Sequence, residues 1–289
     1  MSSAHVWVEA ARPKTLVAMV VPVLVGTAAS GVFVPRRFAA TMVAGLAMQV
    51  GTNYANDYFD GVKGVDAAHR TGPRRATASG LVTPVQMKRA MILSFAVASA
   101  AGLVLTLDLG LVVPAAGAVC LLAALAYSGG PRPYGSAGLG EVVVFGFFGL
   151  VATAGSAFAE TGRLTLPAVA ASLPVGLLAA AILVANNLRD IDTDRASGKI
   201  TLAVRLGRER TRALYRTMIL GAYALVPAVA VVSGRWWALL ALASLPLALR
   251  PVRLVDRRDD APGLVQALLA TARLELAFGL LFAVGLWIR

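Results

Sequence analysis

The sequence predicts an all-α, polytopic membrane protein of about nine transmembrane helices, and three observations carry that expectation. Hydrophobic residues make up 58% of the chain and the mean hydropathy is +0.73, far too apolar for an ordinary soluble domain of 289 residues. The apolar residues fall in successive stretches broken by charge, Pro or Gly, most of them near the ~20 residues a bilayer requires. Lys and Arg are concentrated in every second connection.

In chain order the stretches run from Thr15 to Val34, Phe38 to Asn56, Val85 to Leu107, Leu111 to Tyr127, Leu139 to Phe158, Leu164 to Asn187, Ala213 to Val232, Trp236 to Leu249 and Leu264 to Ile288. The eighth is short and contains Pro246, so it is tilted, re-entrant or extended through Arg250 and Pro251. Gly138, Gly140, Gly146, Gly149 and Gly155 give the fifth stretch small residues that let helices approach closely. Residues 1–289 read as a single transmembrane domain. The first apolar stretch is span-length and has no small-residue cleavage site, so it reads as an uncleaved helix.

With the N-terminus on the cytoplasmic side, 21 of the 27 Lys and Arg residues fall on that side and 5 on the other, with Arg273 left inside the last stretch. That bias predicts a protein of the cell membrane whose N-terminus and acidic runs face the cytoplasm. The same loops account for the net charge of +12. They leave no soluble region long enough for a nucleic-acid recognition domain. Cys120 is the only cysteine, which excludes an intrachain disulfide, and His5 and His69 lack zinc-ligand spacing.

Six of the fifteen acidic residues sit in two runs, one holding Asp57, Asp60 and Asp66 and the other Asp190, Asp192 and Asp194, each at the end of an apolar stretch. A carboxylate at a bilayer centre costs about 2.5–3.5 kcal/mol, a cost that falls at a water-filled mouth where carboxylates share cations. If the second helix continues past Asn56, Asn53, Asp57 and Asp60 follow at four and three residues and share a face. Asn186 and Asn187 precede Asp190 by four and three, and Asp194 follows it by four. Asp192 stands roughly 200° round from Asp190 on an ideal helix and points elsewhere, toward Arg189 or Arg195. Asp and Asn oxygens without His or Cys suit Mg²⁺, which typically bridges a few carboxylates to phosphate. Lys63 between Asp60 and Asp66, Arg74 and Arg75 later in the same loop, and Lys199 after the second run are candidate partners for a diphosphate.

At these residues the chain resembles the intramembrane prenyltransferases of the UbiA superfamily. Asn56-Asp57-x-x-Asp60 with Asp66 beyond it, and Asn187-x-x-Asp190-x-x-x-Asp194, are similar to that family's two aspartate-rich motifs, placed after the second and sixth stretches. The resemblance implies a helical bundle around a central cavity that opens to the cytoplasmic side and to lipid, capped by the two motif loops. It also implies Mg²⁺-dependent prenyl transfer from a polyprenyl diphosphate to an acceptor, with Asp57, Asp60, Asp66, Asp190 and Asp194 on the metal. Asn53, Asn56, Lys63, Arg75, Tyr127, Arg132, Glu141, Asn187, Arg189 and Lys199 then belong to substrate binding.

Three segments resemble the menaquinone-pathway branch most: Asn56 to Asp66, with its third aspartate six residues after the second and Gly64 at the superfamily's usual spacing of four; Tyr127 to Tyr134 leading into Gly138-Leu-Gly-Glu141; and Asn186 to Asp194. That branch implies 1,4-dihydroxy-2-naphthoate as the aromatic acceptor, loss of CO₂ and diphosphate, and demethylmenaquinone as product. Arg132 is then a candidate for the acceptor's carboxylate, and Tyr54, Tyr58, Phe59, Tyr127, Tyr134, Phe147 and Phe148 are candidates to flank an allylic cation. Other acceptors, 4-hydroxybenzoate, homogentisate or a phosphoribose, would keep the diphosphate site. A secondary transporter is the competing class, but it would place its ion-coupling groups nearer the membrane midplane. The Asp-Gly-x-x-Ala-Arg signature of CDP-alcohol phosphotransferases is absent, and nine apolar stretches exclude a soluble prenyl diphosphate synthase.

Overall fold

The computed structural model describes residues 3–62 and 75–288, and these form helices and connecting turns without a strand. Lys63 and Asp66, expected at the site, lie outside the described residues, as does Arg74. The chain begins with a short helix that the sequence reading does not foresee, α1 (Ser3–Ala11), and a 3-10 turn at Pro13–Thr15. There follow α2 (Val17–Ser30), α3 (Pro35–Val62), α4 (Pro84–Leu109) and α5 (Val112–Ser128). The fifth stretch is composite: α6 (Gly140–Val144), a π-helix over Phe145–Ala154 and α7 (Gly155–Thr161). Then come α8 (Leu166–Ala196), α9 (Leu202–Ser233), a 3-10 segment at Trp236–Ser244, α10 (Leu245–Arg257) and α11 (Ala261–Trp287).

All nine apolar stretches are helical. Six are long and apolar enough to cross a membrane, and a seventh counts if the pair Ala4–Thr15 and Val17–Ser30, bent by 49°, is one span. The expectation of nine is therefore approximate, for two reasons. α5 is short, at 17 residues. α3 is 28 residues long, but its second half carries Gln49, Thr52, Asn53 and Asn56, which lower its hydropathy and line a cavity. The eighth stretch resolves to the extended alternative, running as Trp236–Arg257 through Pro246 and Pro251. Together these helices make the chain an integral membrane protein.

Local chemistry sets the helix ends. Thr83 caps α4 with a capping box to Gln86, and Pro84 stands in the first turn, where the missing N–H does no harm. Thr165, Thr201 and Asp260 cap α8, α9 and α11 by accepting the amide hydrogens of Ala168, Val204 and Gly263. Gly31 and Gly162 close α2 and α7 at φ 68° and 70°, a left-handed conformation that glycine adopts without steric penalty.

Two apolar clusters organise the bundle. One joins α2, α8, α9 and α11 through Val21, Leu178, Leu188, Ile219, Phe278 and Phe282. The other joins α1, α3 and α4 through Tyr54, Met87, Met91 and Phe95. Gly149 and Gly176 bring the composite fifth span against α8: a Cβ on Gly149 would stand 2.9 Å from the Gly176 Cα. At one end of the bundle Arg36 and Arg37 pair with Asp108 at 2.5 and 3.0 Å. There the Glu160 carboxylate also accepts the Val34 amide at 2.7 Å, tying α3, α4 and α7 together. The acidic runs lie at the opposite end, where Arg208 bridges Asp192 and Asp259 at 2.6 and 3.6 Å. Between the clusters runs a cavity of about 1210 Å³.

Candidate active site

The cavity extends along α3 from Asp60 to Thr41, and only its Asp60 end is strongly polar. Asn53, Asn56 and Asp60 from α3 line it, as do Asn187, Asp190 and Asp194 from α8, and Arg75, Tyr127 and Lys199. The two acidic runs therefore open onto one space, although 130 residues of sequence separate Asp60 from Asp190. Lys199 connects them, because its Nζ stands 3.4 Å from Asp60 Oδ2 and its backbone amide donates to Asp194 O at 2.9 Å.

Each carboxylate has a distinct environment. Asp60 is 6% exposed and accepts a hydrogen bond from Arg75 Nη2 at 2.9 Å. Asp190 accepts two from its neighbour Arg189, at 2.7 and 2.5 Å, and a longer one from Asn186 at 3.4 Å. Asp194 accepts the Thr201 hydroxyl at 3.4 Å. Asp192 is an exposed partner of Arg208 rather than of Arg189 or Arg195.

Asp57 departs from the face expected of it. It does not line the cavity; its two oxygens accept the backbone amides of Ala76 and Thr77 at 2.9 and 2.8 Å. On α-helical steps Asp57 stands about 60° round from Asp60, which is enough to turn it toward the returning chain. The stripe that does face the cavity is Gln49, Asn53, Asn56 and Asp60, spaced four, three and four.

The neutral oxygens are positioned by second partners. Asn56 Oδ1 accepts the Ser128 hydroxyl at 2.7 Å, and Asn53 Nδ2 donates to Ala11 O at 2.9 Å. Asn187 Nδ2 donates to Glu141 Oε1 at 2.8 Å. Glu141 is 3% exposed and off the cavity, so it acts through Asn187. Arg189 is likewise off the cavity, behind Asp190, and Arg132 is an exposed turn residue away from it.

Among the aromatic candidates, Tyr127, Tyr134, Phe147 and Phe148 line the cavity. Tyr127 and Tyr134 meet edge to face at 5.4 Å. The Tyr134 hydroxyl donates to Ala123 O at 2.8 Å, and burial pushes its phenol up to about 12, so it stays a donor at neutral pH. Tyr54 packs on Trp7, and Tyr58 and Phe59 pair with each other, all three away from the cavity.

Arg12, Gln49, Thr52 and Ser128 line the cavity without having been foreseen. Extending the Asn53–Asp60 stripe back by one turn reaches Gln49. Arg12 carries no such signal, because it reaches the cavity through a left-handed backbone (φ 55°) between α1 and the 3-10 turn.

Hard-cation donors are present in kind. Asp60, Asp190 and Asp194 face the cavity with Asn56 and Asn187, all offering oxygen. Among the described residues no three carboxylates converge as a ready metal cluster. Cations of the chain itself hold two of them instead, Arg75 and Lys199 on Asp60 and Arg189 on Asp190.

Charged groups at one end of a long apolar cavity, inside a membrane bundle, make a site shaped for an amphiphilic molecule with a polar head. Residues 19–287 match the model of the UbiA prenyltransferase family. The chain is 42% identical to 1,4-dihydroxy-2-naphthoate octaprenyltransferase of Mycobacterium tuberculosis, over 88% of each protein. It is 36% identical to the protein of that name from Escherichia coli, over 100% of this chain and 97% of the relative. Among solved structures, a UbiA homolog from Archaeoglobus fulgidus bound to GPP and Mg²⁺ superposes with a TM-score of 0.66 at 14% identity, covering 96% of this chain and 99% of that one. This last likeness speaks to the fold. The chain belongs to the UbiA prenyltransferase family, and it is a prenyltransferase.

Proposed function

We propose that the chain transfers a polyprenyl group from polyprenyl diphosphate to 1,4-dihydroxy-2-naphthoate, with release of diphosphate and CO₂. The observation that carries this reading is the meeting of Asp60, Asp190, Asp194, Arg75 and Lys199 at one end of an otherwise largely apolar cavity. A diphosphate head fits the charged end, and a hydrocarbon tail fits the rest. The acceptor is supported by relatives 36–42% identical that carry the name 1,4-dihydroxy-2-naphthoate octaprenyltransferase.

Asp60, Asp190 and Asp194, with Asn56 and Asn187 as neutral oxygens, are the residues that would hold Mg²⁺. Asp57, which holds the Ala76 and Thr77 amides off the cavity, would have to turn toward it to join them. When bound, the metal supplies positive charge to the diphosphate oxygens and makes them a better leaving group. Arg75 and Lys199, both on Asp60, are within reach of the same end and can donate charge-assisted hydrogen bonds to the diphosphate. Those bonds strengthen as the allylic C–O bond breaks and its electron pair leaves with the diphosphate. The apolar wall keeps water from the allylic cation, with the rings of Phe147 and Phe148 beside it.

The electron-rich naphthalene ring then forms the new C–C bond at its carboxylated carbon. The ring carboxylate leaves as CO₂, and its bonding pair restores aromaticity. The immediate product is demethylmenaquinol, and demethylmenaquinone requires a further two-electron oxidation. Arg12, on the cavity, is better placed than the exposed Arg132 to orient the acceptor's carboxylate.

Residues 1–289 act as one domain in this reading, supported by the span of the family match. The protein sits in the cell membrane with its acidic end toward the cytoplasm, supported by the 21 to 5 distribution of Lys and Arg. The test is product formation by purified protein in nanodiscs with Mg²⁺, octaprenyl diphosphate and 1,4-dihydroxy-2-naphthoate. Metal-dependent product and CO₂, both lost in Asp190→Asn, are expected. Turnover with 4-hydroxybenzoate or homogentisate instead would keep the donor site and replace the acceptor.

A further inference from the structure

Three arginines of α10 have no part in the central cavity. Arg250, Arg253 and Arg257 are exposed and fall within about 60° of one another on the helix. The opposite face, with Ala248, Pro251 and Val255, is buried in the bundle. None of the three arginines makes an ion pair among the described residues, because the nearby acids are already held. Asp256 pairs with Arg216 at 2.8 Å, Asp259 with Arg212 at 2.8 Å and Asp260 with Arg258 at 2.6 Å.

The arginines border a surface recess of about 460 Å³, together with Pro246, Leu249 and Leu254 and with Arg258 beside them. It shares no residue with the central cavity. Its character changes along the helix. Pro246 and Leu249 lie toward the middle of the span Trp236–Arg257, and the arginines run to its end, about 16 Å from Pro246 to Arg257 at 1.5 Å per residue. That end is the one with the acidic runs, since Asp259 shares Arg208 with Asp192. Topology alone accounts for arginines at one end of a span. It does not require them to share a face, to stay unpaired or to border a recess that continues into apolar side chains.

We propose that this recess is a binding site for an anionic phospholipid, with the headgroup phosphate on the arginines and an acyl chain along Leu249 and Pro246. Arg253 and Arg257 stand one turn apart, about 6 Å along the axis, so their planar guanidinium groups can donate to one phosphate together. Arg250 starts one turn deeper, and its long apolar stem lets the charged end reach the same level. Three cations without a protein counter-ion favour a headgroup of net negative charge and disfavour a zwitterionic one, whose own ammonium they repel. The inference goes beyond the prenyl diphosphate reading and does not depend on it.

The test is native mass spectrometry of the purified full chain in detergent, titrated with phosphatidylglycerol or phosphatidylcholine. Arg253→Gln/Arg257→Gln is compared with Lys88→Gln/Arg89→Gln, which removes the same charge from an exposed pair at the start of α4, outside the recess. The parent is expected to bind phosphatidylglycerol at least about tenfold more tightly than phosphatidylcholine. The arginine variant should lose at least about tenfold for phosphatidylglycerol and the α4 variant should bind like the parent, since a basic residue near anionic lipid contributes about 1 kcal/mol. Excess inorganic phosphate should not displace the lipid. The changed arginines are exposed and unpaired, so the variant should melt with the parent; should it not, Arg257→Gln alone is read. Equal binding of the two lipids by the parent, or equal losses in both variants, overturns the inference. Displacement by inorganic phosphate would make the recess a free-anion site and overturn its assignment to lipid.

Discussion

Replacing Asp57 by Ala removes the acceptor of two backbone donors at once. Ala76 and Thr77 are 4% and 9% exposed, so water does not readily replace the carboxylate. Hydrogen bonds to a charged group contribute about 1.5–3 kcal/mol each, and partial relaxation of the chain around Ala76 brings the combined loss to about 3 kcal/mol. For a chain of this size that corresponds to a fall in melting temperature of about 6–12 °C. Asp57→Asn keeps one acceptor oxygen but turns an amide N–H toward a backbone N–H, so an intermediate loss is expected. The assay is thermal unfolding of purified protein in detergent, followed by tryptophan fluorescence, with Asp192→Asn as a reference. If Asp57→Ala melts together with the parent protein, the two backbone bonds contribute nothing and the anchoring role given to Asp57 is wrong.

Glu141→Ala leaves Asn187 without its acceptor, and such orienting partners are typically worth tenfold or more, so kcat/KM should fall by about that factor; Glu141→Gln, which keeps a carbonyl for Asn187, should recover most of it. Unaltered turnover in Glu141→Ala would show that Asn187 holds its position unaided. Asp192→Asn should leave turnover and melting close to the parent, because an ion pair this exposed contributes about 0–1 kcal/mol. A large loss of activity would put Asp192 in the site. Gly149→Val forces a side chain to within 2.9 Å of the Gly176 backbone and should lower stability by about 1–3 kcal/mol, whereas Gly146→Val meets open space and should melt like the parent. Equal melting of the two would contradict the close packing of the fifth span on α8.

The apolar stretches foretold the helices because each is long and its ends are marked by Thr, Asp, Pro or Gly. The two acidic runs were legible for a similar reason, since carboxylates at the ends of membrane helices need a purpose. What the sequence conceals is phase. Asn53, Asp57 and Asp60 share a helix face to within the width of one residue, and only the return of the chain at Ala76 and Thr77 decides that Asp57 turns away from the cavity. Arg132 looked like a substrate residue because a cation between two prolines stands out, yet the turn leaves it exposed. Arg12 reads as a topological charge, and a single left-handed residue carries it to the cavity.

The central claim is that the two acidic runs form one diphosphate-binding end of a single cavity. Equilibrium binding of inorganic diphosphate to the purified protein, measured by calorimetry with and without Mg²⁺, tests it most directly when Asp60→Asn, Asp190→Asn and the double variant are compared. Mg²⁺-dependent binding that each single change weakens, with the double variant losing less than the sum of the two, is the result expected of groups sharing one ligand. Binding that survives the double change, or two binding events each lost with only one of the changes, would mean that the two runs do not share one site.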